Sequence, residues 1–85
     1  MRVTVLFFAS LREILDCERE ALDLPAQVMS IADLRVWLSG RGGVWAEALA
    51  PGRAVRAALD QAMAQSDALL HEGAEVAFFP PVTGG

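Results

Sequence analysis

Glu75-Val76-Ala77-Phe78-Phe79-Pro80-Pro81-Val82-Thr83-Gly84-Gly85 is the stretch on which the reading turns. Its first five residues form an apolar, β-rich run that follows the turn His71-Glu72-Gly73-Ala74, which marks a strand over 75–79. Neither Pro80 nor Pro81 can donate to a sheet ladder, so the strand stops at Phe79. Two adjacent prolines favour an extended exit, and the six residues from Pro80 can span on the order of 20 Å. Gly84 and Gly85 carry no Cβ, so this end can thread a narrow channel. A carboxylate on Gly85 is sterically open to an adenylating nucleotide or a nucleophile, but inert until something activates it. The chain therefore divides into a domain over 1–79 and a flexible tail over 80–85.

Working back toward the start, residues 2–8 alternate as a strand, with Val3, Val5 and Phe7 on one face and Thr4, Leu6 and Phe8 on the other. A short helix is expected over 9–15, where Ser10 and Glu13 have the spacing of a capping box. A second strand, antiparallel to the first, runs over 18–24 and ends at Pro25. Glu18 and Glu20 alternate along it and read as a solvated, charged edge. Ser30 caps the main helix, whose Ile31, Leu34 and Leu38 share one stripe, and Asp33 suits its first turn. Gly40 and Gly42-Gly43 stop it. A helical turn over 44–49 precedes Pro51-Gly52, and two short strands over 53–59 and 62–65 flank a turn at Asp60-Gln61. The order describes an α+β roll: a mixed sheet of about five strands packed on one main helix.

The composition narrows the function. One core fits into 85 residues. All seven basic residues are arginine and the net charge is −4, a poor match for nucleic acid or an anionic membrane. The apolar fraction of 54% leaves too few polar residues to cover the outside, so some apolar surface is expected to meet another protein. A lone Cys17 excludes an internal disulfide and a cysteine-ligated metal, and fits a reducing compartment. The opening run is too short for a signal peptide, and no stretch reaches the length of a membrane helix; a cytoplasmic location is expected. Conventional catalysis has little material. Cys17 and the only histidine, His71, carry no spacing information as a nucleophilic pair, and Trp37 and Trp45 read as packing groups at the helix end. No cofactor or metal site is indicated.

The stretch 75–85 closely resembles the C-terminal signature of the molybdopterin synthase small subunits, the sulfur carriers of molybdenum-cofactor biosynthesis. Val5-Leu6-Phe7-Phe8-Ala9, with Arg12-Glu13, resembles the N-terminal motif of the same family. The resemblance implies a ubiquitin-like β-grasp fold. It also implies that an activating enzyme adenylates the terminal glycine with ATP and that sulfur transfer then makes a thiocarboxylate. The tail would enter the active site of the large synthase subunit, in a heterotetramer, and give sulfur to cyclic pyranopterin monophosphate. Carried over by position, Gly85 bears the sulfur and Gly84 helps it thread. Leu59-Asp60-Gln61 departs from the turn usual in the family.

In that fold the first and last strands are parallel neighbours at the sheet centre. Leu6, Phe8, Ala77 and Phe79 then share the face away from the helix and form, with Pro80, Pro81, Val82 and Thr83, an apolar partner-binding surface at the tail. Three rivals share part of this pattern. They are a thiamine-pathway sulfur carrier, a protein modifier that forms isopeptide bonds, and an interaction module with an inert tail.

Overall fold

Asp60 and Gln61 both have positive φ, 49° and 70°, the backbone of a two-residue hairpin turn that matches the twist of its flanking strands. That turn joins β3 (Arg56–Leu59) to β4 (Ala62–Ala64), the last hairpin of a computed structural model that describes residues 1–81. Ahead of it come β1 (Arg2–Phe7), α1 (Ala9–Leu15), β2 (Arg19–Asp23), α2 (Ile31–Ser39) and α3 (Gly43–Ala48), and β5 (Glu75–Phe79) follows. The five strands make one mixed sheet in the order β2-β1-β5-β3-β4. β1 pairs parallel with β5 and antiparallel with β2, while β3 pairs antiparallel with both β5 and β4. This is the β-grasp arrangement, with the first and last strands side by side at the centre. Val82, Thr83, Gly84 and Gly85 lie outside the described residues.

Alternation along the strands decides the core. Val3, Val5 and Phe7 of β1 and Val76 and Phe78 of β5 are buried together with Ile31, Leu34 and Leu38, the expected stripe of α2. Leu11 and Leu15 of α1 and Ala48 of α3 join the same cluster, so all three helices pack toward one face of the sheet. Phe7 stacks on Phe78 and meets Trp45 edge-on at 5.4 Å, which fixes the α3 end of the core. α2 begins as expected. The Ser30 hydroxyl accepts the Asp33 N–H, and the Asp33 carboxylate accepts the Ser30 N–H, closing a capping box.

Several boundaries differ from the sequence reading, each for a local reason. Ser10 does not cap α1. The cap position is Phe8, and Ala9 turns the chain off the sheet with φ 53°, so the helix is already under way when Ser10 is reached. β2 is one residue shorter at each end than expected. β3 begins at Arg56 and not at 53, because the Arg53 N–H is held by the Ala50 carbonyl and its own carbonyl by Arg35. β4 stops at Ala64, since the Gln65 carbonyl turns to the Ala68 N–H. Glu20 is also not part of a solvated edge. It lies opposite Val5, on the core side, and takes both amino groups of Arg41 at 2.9 and 2.7 Å. No described helix is long and apolar enough to cross a membrane.

Candidate functional site

The other face of the sheet is read off the pairing register. Residues that pair across neighbouring strands point the same way, so Arg19, Leu6, Ala77, Ala58 and Met63 form one row across all five strands. Arg56 lies opposite Phe79 in the next row. Phe8 keeps extended backbone (φ −124°, ψ 158°) and donates its N–H to the Phe78 carbonyl, so it carries the alternation one residue past β1. Its ring is 46% exposed and Met63 is 63% exposed, whereas Leu6, Ala77, Phe79, Pro80 and Pro81 are half-buried. With the helices packed on the opposite side, this face has, among the described residues, only its own side chains for cover. The surface is apolar at its centre, and Arg19 and Arg56 stand at its margins.

The fold thus brings Leu6, Phe8, Ala77 and Phe79 together, as the alternation predicts, beside Pro80 and Pro81. The four remaining positions expected in the site, Val82, Thr83, Gly84 and Gly85, lie outside the described residues. Sequence reasoning missed Ala58, Met63 and Arg56 as members of this face. Alanine-rich strands carry no contrast between faces, and only the register with β5 reveals which way Ala58 and Met63 point.

Among the described residues the other chemistry-bearing groups are not assembled into a site. Cys17 Sγ contacts the Arg19 carbonyl and the Glu20 carboxylate at 3.9 Å, and burial, followed by the Glu20 charge, pushes its pKa up. A thiol held protonated is a poor nucleophile. His71 instead bonds Asp60 through Nε2, with Nδ1 on the Glu72 carbonyl. Trp37 and Trp45 flank the Arg41 guanidinium at 6.0 and 4.5 Å, a packing role that also ties β2 to the α2–α3 loop through Glu20. Among the described residues no group of three or more His, Cys, Asp or Glu is placed to hold a metal ion.

The model of the ThiS family matches residues 5–85 of the chain. The chain belongs to the ThiS family. Within that frame it is 40% identical over 83 residues to the molybdopterin synthase sulfur carrier subunit of Escherichia coli (strain K12), a match that covers 98% of this chain and 99% of that one. It is 36% identical over 83 residues to the subunit of the same name from Haemophilus influenzae, with the same coverage. Among solved structures, the complex of subunits 1 and 2 of the molybdopterin-converting factor from Helicobacter pylori contains a chain that superposes with a TM-score of 0.66 at 24% identity, covering 100% of both chains. This structural likeness supports the ubiquitin-like β-grasp fold of the ThiS-family domain.

Proposed function

We propose that this ThiS-family protein is the sulfur carrier subunit of a molybdopterin synthase and works through Gly85. The observation that carries the reading is the 40% identity to a molybdopterin synthase sulfur carrier subunit over 98% of the chain. A carboxylate does not accept sulfur unaided, and the domain offers no catalytic constellation among its described residues, so activation falls to a second enzyme. That enzyme joins the Gly85 carboxylate to the adenylyl group of ATP with release of pyrophosphate. A sulfur donor then displaces AMP and leaves a thiocarboxylate. Gly84 and Gly85, led by Val82 and Thr83, enter the active site of the large synthase subunit, where the sulfur passes to cyclic pyranopterin monophosphate. The face around Leu6, Phe8, Ala77 and Phe79 docks the domain, and Pro80-Pro81 sets the direction of the tail. The setting for this work is the cytoplasm, and the assembly is a heterotetramer of two carriers and two large subunits.

Intact mass spectrometry tests the reading. Incubated with the activating enzyme, ATP and a sulfur donor, the chain should gain the mass of sulfur in exchange for oxygen. The gain should vanish when Gly85 is deleted, and the loaded chain should restore molybdopterin formation by the large subunit. A chain that never acquires the heavier form under these conditions is not a sulfur carrier.

A further inference from the structure

A groove of about 750 Å³ opens between α2 and the β3–β4 hairpin, on the helix side of the sheet. Val36 of α2 stands at one lip, 68% exposed, and Ala64 of β4, on the same side of the sheet as Ala57, lines the other. Its lining includes Arg35, on the helix side of the sheet, and not one acidic side chain, in a chain whose acidic residues outnumber its basic ones by 11 to 7. Arg35 is tethered by its Nε to the Leu49 carbonyl at 2.9 Å and by Nη2 to the carbonyls of Ala50 and Arg53 at 2.6 and 2.8 Å. These carbonyls hold the guanidinium in place without supplying a formal negative charge, and burial pushes its pKa down. Among the described residues Arg35 has no carboxylate at ion-pair distance.

The groove is bordered by an open strand. β4 is an edge of the sheet, and its residues Ala62, Met63 and Ala64 carry no charge. The opposite edge, β2, carries the exposed charges Arg19 and Asp23. Charge on an edge strand discourages pairing with another chain, and a neutral edge lacks that protection. A free edge beside an apolar groove is the arrangement that accepts an added strand. Main-chain hydrogen bonds then supply affinity, and alternate side chains fill the groove.

We propose that this groove is a second docking site, which receives an extended apolar segment of a partner protein bearing a carboxylate side chain, paired along the β4 edge. The apolar side chains of the segment lie between Val36 and Ala64, and its carboxylate meets Arg35. The site is independent of the tail chemistry.

The test is an NMR titration of the ¹⁵N-labelled full chain with the peptide acetyl-Ser-Ile-Val-Glu-Val-Ser-amide. Binding should shift the amides of residues 62–66 and 32–39 and leave those of Leu6 and Ala77 in place. Replacing the peptide glutamate by glutamine should weaken binding about fivefold or more, because a charge-assisted hydrogen bond is lost. Val36→Glu, at a solvent-facing position, should keep the folded spectrum and weaken binding at least about tenfold through like charge and lost apolar contact. Four results would each overturn the proposal: no shifts, shifts centred on Leu6 and Ala77, equal binding of the glutamine peptide, or equal binding by the folded Val36→Glu protein. Shifts of the groove amides on truncation after Pro81, without peptide, would assign the groove to the tail of the chain itself. Shifts that grow with protein concentration alone would assign it to a second copy. Either of these also overturns it.

Discussion

At the scale of single residues, Phe79 bears the most consequence. It is the last residue of β5, half-buried, on the face opposite the core, and adjacent to the prolines that lead into the tail. Its partner across the ladder is Arg56, and Phe8 stands beside it as the most exposed aromatic ring on that face. Aromatic side chains are enriched in interfaces, and truncating one that anchors the contact costs about 2 kcal/mol, roughly thirtyfold in affinity. Phe79→Asp should leave the circular dichroism and the folded NMR spectrum unchanged while removing binding to the large synthase subunit. Normal binding by the folded variant would refute the docking face. The strong residues of this face were legible because Leu6 and Phe8, and Ala77 and Phe79, are two apart in apolar strands. Met63 was not legible, because Ala62 and Ala64 on either side give no contrast that tells inside from outside.

At the scale of elements, two local devices set stability. The first is the box at the start of α2, where Asp33 accepts both the Met29 and Ser30 N–H groups, which holds its carboxyl below the ordinary range. Ser30→Ala removes the reciprocal bond and should cost about 1 kcal/mol, or about 4–8 °C in Tm for a domain of this size, read by calorimetry. The second joins the β3–β4 turn to the approach of β5. The Asp60 carboxylate accepts the Glu75 N–H and binds His71 Nε2, and the second ring nitrogen of His71 faces the Glu72 carbonyl. With both nitrogens against oxygen acceptors the doubly protonated ring is favoured, so the His71 pKa is raised above its ordinary 6.5, first by Asp60. Its contribution is complete below that ordinary value and is lost as pH rises through the folded one. Asp60 is shifted the other way, below 3.8, first by the Glu75 N–H, so its share is present above that value and lost as pH falls through the folded one. The difference in Tm between the wild type and His71→Gln should therefore be greatest between about pH 4 and 6.5 and shrink as pH climbs toward 8. A His71 ring that titrates at or below the midpoint of an unfolded peptide would contradict this. The S-x-x-E spacing at Ser10 misled because such spacing reports a possible cap, while the positive φ at Ala9 that starts the helix early is a property of the exit from β1. The start of β3 misled for a related reason. Arg35 holds the Arg53 carbonyl from 18 residues away, and no local pattern announces it.

At the scale of the whole molecule, the order of elements was legible from chain order and period: two strands, one capped helix with a clear stripe, a hairpin, and a final apolar strand cut off by prolines. The pairing of the first strand with the last came from the family resemblance. What stayed hidden were features made by long-range juxtaposition. The groove beside α2 is one, since its walls come from residues in α2, the loop before β3, and β4, none of which marks a cleft in sequence. The Glu20–Arg41 pair, which turns an apparently solvated strand into one clamped to the α2–α3 loop, is another. The central pairing of β1 with β5 has a further consequence, for the order of events as the protein is made. Arg2 reaches Glu72 across 70 residues of chain, and the strands that follow from these positions close the middle of the sheet. Pairing strands so far apart in sequence carries a large loop-closure entropy and slows folding. A nascent chain that has not yet released residues 75–79 from the ribosome has neither the central ladder nor the face around Phe79. Products that stop before β5 therefore lack the proposed docking face as well as the tail.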